Sequence, residues 1–144
     1  MIRKPIQQSL FDIPTFNIAA DIKAALNQAV KNSGLSREDV VDKMNAHAER
    51  YGVNLVNGNS TKLTLDTLEK WLNPADHTRS IPLKALPLFC AVVKDMSPLD
   101  ILAKPLGCEV IGPKDRKMLE WARIKLRQKK EGKLLRELEA GCDD

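Results

Sequence analysis

Side chains able to do chemistry are few in this chain, and their spacing separates catalysis from binding. His47 and His77 have no second histidine or cysteine at ligand spacing, and Cys90, Cys108 and Cys142 form no CxxC pair. A structural zinc site needs such close pairs, so no metal is expected. GxGxxG, GxxxxGK[ST] and GxSxG are absent, which removes the phosphate-cradling loops and the serine elbow. The carboxylates have other duties. Asp39 and Asp100 stand where helix caps are expected, and Glu120 and Glu131 sit among cations. No acid–base pair stands out, so neither enzymatic activity nor a cofactor is expected.

What remains is the chemistry of polar and basic groups facing an anion. Ser60, Thr61, Lys62 and Thr64 lead into the start of a short helix. Free N–H groups and the helix dipole add positive potential there, which suits hydrogen bonds to phosphates and base edges. Charge is also concentrated. Residues 1–112 carry a net +1, whereas 116–136 hold nine Lys and Arg against Glu120 and Glu131, a net +7. A block of this kind suits a polyanion, usually nucleic acid. The plainer alternative is a solvated helix whose cations only maintain solubility.

These groups need elements to hold them. Residues 1–16, with Pro5 and Pro14 and no periodicity, read as an arm. From Asn17, apolar residues at Ile18, Ile22, Ala25, Leu26, Ala29 and Val30 trace one face of a helix that Asn17 can cap and Gly34 can end. Ser36-Arg37-Glu38-Asp39 is a capping box, and Leu35 and Val40 can staple the helix that follows to about Arg50. Turn formers then fill 51–62, with Asn57-Gly58 as a tight turn. Thr64 can cap a short helix over 65–72 that buries Leu65, Leu68 and Leu72. Thr67 and Trp71 flank that face, while Asp66, Lys70 and Asn73 point away from it. Pro82 or Pro87 opens a fourth helix, and Ser97-Pro98-Leu99-Asp100 caps a fifth. Pro113 starts a long charged helix to about Glu131, with Gly132 weakening it before 133–140 resume. Its apolar seam is Leu119, Ala122 and Leu126, widened by Met118, Trp121 and Ile124. The next positions are Lys129 and Lys133, so a long coiled coil is not expected.

In this order of helices, residues 17–104 resemble the λ-repressor/Cro-like (XRE-type) helix-turn-helix regulators of phages and prophages. The resemblance rests on Leu35-Ser36-Arg37-Glu38-Asp39-Val40-Val41 and on Leu63-Thr64-Leu65-Asp66-Thr67-Leu68-Glu69-Lys70-Trp71-Leu72, which looks like a recognition helix. The link from Arg50 to Thr64 is longer than that family's short turn. The resemblance implies an all-α, five-helix helix-turn-helix domain followed by a long basic C-terminal helix. It implies a third helix in the major groove of duplex DNA, braced by the second. Base or groove contacts would fall to Lys62, Thr64, Asp66, Thr67 and Lys70, and phosphate contacts to Ser36, Arg37, Arg79 and Lys84.

The expected organisation is an arm over 1–16, a DNA-binding domain over 17–106 and a basic helix over 113–144 that helps to form a homodimer. The expected function is a sequence-specific, non-enzymatic transcriptional regulator. The alternative is a helical protein–protein adaptor. The longest apolar run, Ala85 to Val93, is nine residues and contains Pro87, far short of the roughly 20 that span a bilayer. Arg3 and Lys4 precede no apolar stretch, so no secretory signal is expected. Three unpaired cysteines fit a reduced, cytoplasmic protein.

Overall fold

The stripe predicted for the first helix centres on Leu26, and that side chain is completely buried. The computed structural model describes residues 15–58 and 62–142, and every regular element among them is a helix. The chain is all-α. Most of the predicted arm, and Ser60 and Thr61, lie outside the described residues. The chain divides into two units between Val110 and Ile111.

In the first unit, α1 spans Ala19–Ser33 and ends at Gly34, whose φ of 73° favours a residue without a Cβ. It starts later than Asn17 suggests. The cap position is Ile18, and the Asn17 backbone N–H donates to Thr15 Oγ1 at 3.2 Å. Helix α2 covers Arg37–Tyr51. The Asp39 N–H donates to Ser36 Oγ at 3.0 Å, and the Ser36 N–H donates to Asp39 Oδ2 at 3.2 Å, closing the capping box. Helix α3 is Leu65–Leu72, its first turn capped by Thr64 Oγ1, which accepts from the Thr67 N–H at 3.3 Å.

Helix α4, Leu86–Val93, carries Pro87 in its first turn, so the stretch from Pro82 is a turn and the helical ladder stays complete. Helix α5, Ser97–Ala103, runs into a single 3-10 turn over Lys104–Leu106. Ser97 does not cap it. Asp95 does that work from outside, its Oδ1 accepting from the Ser97 N–H at 2.9 Å, while Asp100 Oδ1 accepts from the Val110 N–H at 3.0 Å.

Leu26, Val40, Met44, Leu55, Leu68 and Phe89 are inaccessible to solvent and form one core with Trp71 and Leu72. Helix α1 packs on α3 and α5, and α2 packs on α3 and α4. Leu55 and Val56 come from the irregular segment after α2, so that segment is held by the core although it forms no strand.

One polar residue also lies within this core. Lys23 sits three residues before Leu26 on the buried stripe and is only 5% exposed. Its ammonium donates to the carbonyl of Lys70 at 2.6 Å and to the carbonyl of Arg79. Lys70 lies in the last turn of α3, where carbonyls have no partner within the helix. Just beyond, the Thr78 N–H and hydroxyl donate to Asp76 Oδ1 at 2.7 and 2.6 Å. These bonds, helped by the Lys23 charge, hold the Asp76 carboxyl below its ordinary range.

The second unit is built on α6, Pro113–Cys142. It runs without a break through Gly132, where the sequence suggests only a weakening, and on to Cys142. Glycine costs about 1 kcal/mol in a helix interior, which good helix formers on both sides offset. None of its described residues is buried in the single chain.

Replacing Lys23 with Met keeps the apolar stem but leaves two carbonyls unpaired. Chemical denaturation of Lys23→Met should show a loss of about 1–3 kcal/mol; no loss would mean that the ammonium is not a structural tie.

Cys90 supplies a second expectation. Burial, reinforced by the Asp95 charge, pushes its thiol up to about 11. The unfolded thiol ionises near 9.0, so the folded state holds its proton longer and stability should fall as pH rises from about 9 to 11. Below that window Cys108 and Cys142, both exposed, should react quickly with a thiol reagent and Cys90 only on unfolding. Three equally fast thiols would contradict the burial of α4.

Candidate nucleic-acid interface

Two anchors on α2 hold α3 despite the long connection between them. Asn45 uses its amide as a stretch of backbone would. Its Nδ2 donates to the Leu63 carbonyl at 2.9 Å, and its Oδ1 accepts from the Leu63 N–H at 2.8 Å. Arg37, in the first turn of α2, donates through Nη1 to Glu69 Oε1 at 3.4 Å and through Nη2 to Asn27 Oδ1 at 3.2 Å. The start of α3 is therefore beside Asn45 and its middle beside Arg37.

On the inner side of α3, Leu68, Trp71 and Leu72 are buried. On the outer side, Asp66 and Glu69 are exposed and Lys70 half-buried, with Lys70 Nζ donating to Asp66 Oδ2 at 2.9 Å. Lys62 and Thr64 are exposed on the approach to the helix. Together Lys62, Asp66, Glu69 and Lys70 cancel in charge. This surface can offer donors and acceptors to a partner but does not attract an anion by net charge.

Thr67 belongs elsewhere. It is 8% exposed, and its Oγ1 accepts from the Thr64 hydroxyl at 3.1 Å, so its place is beneath the capped turn and not on the outer face. Arg37 is likewise engaged within the protein, its fork spanning α1, α2 and α3. Ser36 is exposed, but its Oγ is the acceptor of the α2 cap. The side chains of Arg79 and Lys84 are exposed. Arg79 lines an open cleft of about 390 Å³ together with Asn57, Thr67, Trp71 and Thr78, along one flank of α3.

Of the residues singled out in the sequence, Lys62, Thr64 and Asp66 are exposed and Lys70 is half-buried beside Asp66, while Arg79 lines the cleft on the flank of Thr67 and Trp71. Ser36 and Arg37 serve the helix junctions. Lys23 and Asn45 were not foreseen as positioning residues. Lys23 had one signal, a cation in phase with Leu26 and Val30 on a stripe otherwise apolar. Asn45 had none.

Among the described residues no helix is long and apolar enough to cross a membrane. No family model, curated protein or solved structure matches the chain.

Asn45→Ala should cost about 1–3 kcal/mol, because it leaves both backbone groups of Leu63 unpaired. The more specific readout is hydrogen exchange. The Leu63 amide should lose its protection while the Leu26 amide keeps it, and unchanged protection at Leu63 would refute the clamp.

Proposed function

We propose that this protein is a non-enzymatic, sequence-specific DNA-binding regulator, of the phage and prophage type that its sequence resembles, acting as a dimer. The observation that carries the reading is α6: a continuous, exposed helix with ten Lys and Arg against five Asp and Glu over residues 113–142. That density of cations exceeds any need for capping, and a concentrated positive charge of this kind suits a polyanion. Sequence reading falls to α3, where Lys62, Thr64, Asp66 and Lys70 present both donors and acceptors. Arg79 and Lys84 are suited to phosphates.

The charge-balanced outer face of α3 favours the second reading, a protein–protein adaptor. Salt dependence separates the two. Duplexes selected from a random pool, and scrambled versions of them, would be titrated at several salt concentrations. A DNA reader should lose affinity steeply, by about 0.9 in the log–log slope for each phosphate contact. Replacing Lys129, Lys130 and Lys133 by Gln should make that slope shallower and leave sequence preference intact.

The double variant Asp66→Ala/Lys70→Ala removes both members of an ion pair and leaves neither unpartnered. It should fold normally and forfeit about 1–3 kcal/mol of discrimination for each base pair that these side chains read. Failure of the pool to enrich any duplex, or binding that ignores salt, would assign the protein to the adaptor class.

A further inference from the structure

In α6, Trp121, Ile124, Leu135 and Leu138 are between 46 and 61% exposed. A helix that only stays in solution has no use for them. They are not scattered. Because α6 is continuous across Gly132, Trp121, Ile124, Gln128, Glu131, Leu135, Leu138 and Cys142 follow one another at steps of three, four, three, four, three and four residues. This is the a/d seam of a left-handed coiled coil sustained over three heptads, about 32 Å long at 1.5 Å per residue. The stripe through Leu119, Ala122 and Leu126 is different, since it ends at Lys129 and Lys133.

Charge selects the partner and its direction. Residues 114–130 hold eight Lys and Arg against Asp115 and Glu120, while residues 131–142 hold Lys133 and Arg136 against Glu131, Glu137 and Glu139. One half of the helix is therefore +6 and the other −1. A parallel copy would set like halves together and Glu131 against the partner's Glu131. A reversed copy sets the positive half on the negative one. In that direction Trp121 faces the partner's Leu138, Ile124 faces the partner's Leu135, and Gln128 faces the partner's Glu131. Each of these pairs joins an a position to a d position, as an antiparallel seam requires. At the centre the Gln128 amide of each copy can donate to the carboxylate of the other's Glu131, so both central polar layers are satisfied.

We propose that α6 docks a second copy of this chain as a two-stranded antiparallel coiled coil. Arg116, Arg123, Lys129, Lys130 and Arg136 occupy outward b and c positions and stay exposed in the pair. The seam needs no DNA and stands whether or not α3 reads sequence.

The test uses the full chain. Sedimentation equilibrium should give a dimer for the native protein and a monomer for Ile124→Asp/Leu135→Asp. Leu119→Asp/Leu126→Asp, on the other stripe, should remain dimeric. Direction is read by cross-linking with Cys108→Ser, using copper phenanthroline and dissolved oxygen as oxidant; each disulfide forms as two thiols give up two protons and two electrons to oxygen. Antiparallel pairing sets position 117 opposite the partner's Cys142. Lys117→Cys should therefore form covalent dimers at least tenfold faster than Cys142 alone, and this arm leaves the apolar seam intact. A monomeric native protein, a dimeric Ile124→Asp/Leu135→Asp variant or a dissociated Leu119→Asp/Leu126→Asp variant would overturn the proposal. Equally fast linkage through Cys142 alone would show a parallel pair and overturn it too.

Discussion

A lysine ammonium taken out of water must find acceptors, and the placement of Lys23 inside the first unit imposes that constraint on everything around it. Its two carbonyl partners are 47 and 56 residues away in the chain. One is in the last turn of α3 and the other in the segment leading to α4, so a single charge ties the end of α3 to the segment that follows it. The same position meets a need of α3 itself, whose terminal carbonyls carry the negative end of the helix dipole. Asp76 and the turn it forms with Thr78 lie next to this junction. No buried polar side-chain atom among the described residues is left without a partner, and the burial of Lys23 is tolerable for that reason.

With its end held by Lys23, α3 needs control only at its start and middle, which Asn45 and Arg37 supply. The Arg37–Glu69 pair is exposed and contributes little by itself, typically below about 1 kcal/mol. Its value is geometric, because the guanidinium fork also reaches Asn27 and so joins three helices. An eight-residue helix is marginal alone. Here its cap, its buried Trp71 and these three ties together hold it in place on the core.

Features set by near neighbours were legible before any coordinates. Gly34, the Ser36 box and the Thr64 cap depend on residues within four positions of one another, and each forms as its pattern suggests. Misreadings follow from the same logic. Asn17 and Ser97 are good capping residues, but Asn17 falls one residue too early and Ser97 one too late for the helices that form. Arg37 looked available for phosphate because a sequence does not show that Asn27 and Glu69 will lie within reach. Thr67 has the composition of a surface residue, and only the tight first turn of α3 puts it under cover. In the basic helix, Gly132 suggested a weakening, which concealed the longer of two apolar registers. Asp66 and Lys70 were placed by simple helical phase.

The Asn45 clamp has an evolutionary corollary. Val56 is buried in the core and Leu63 is held by an amide from α2, so both ends of the chain between them are fixed independently of its length. Loop-closure entropy rises by only about 0.6 kcal/mol for each doubling of a flexible connection. The register of α3 on α2 is therefore set by these anchors and is insensitive to how many residues join them. A family descended from such a fold could change the length of that link without repacking a single core side chain.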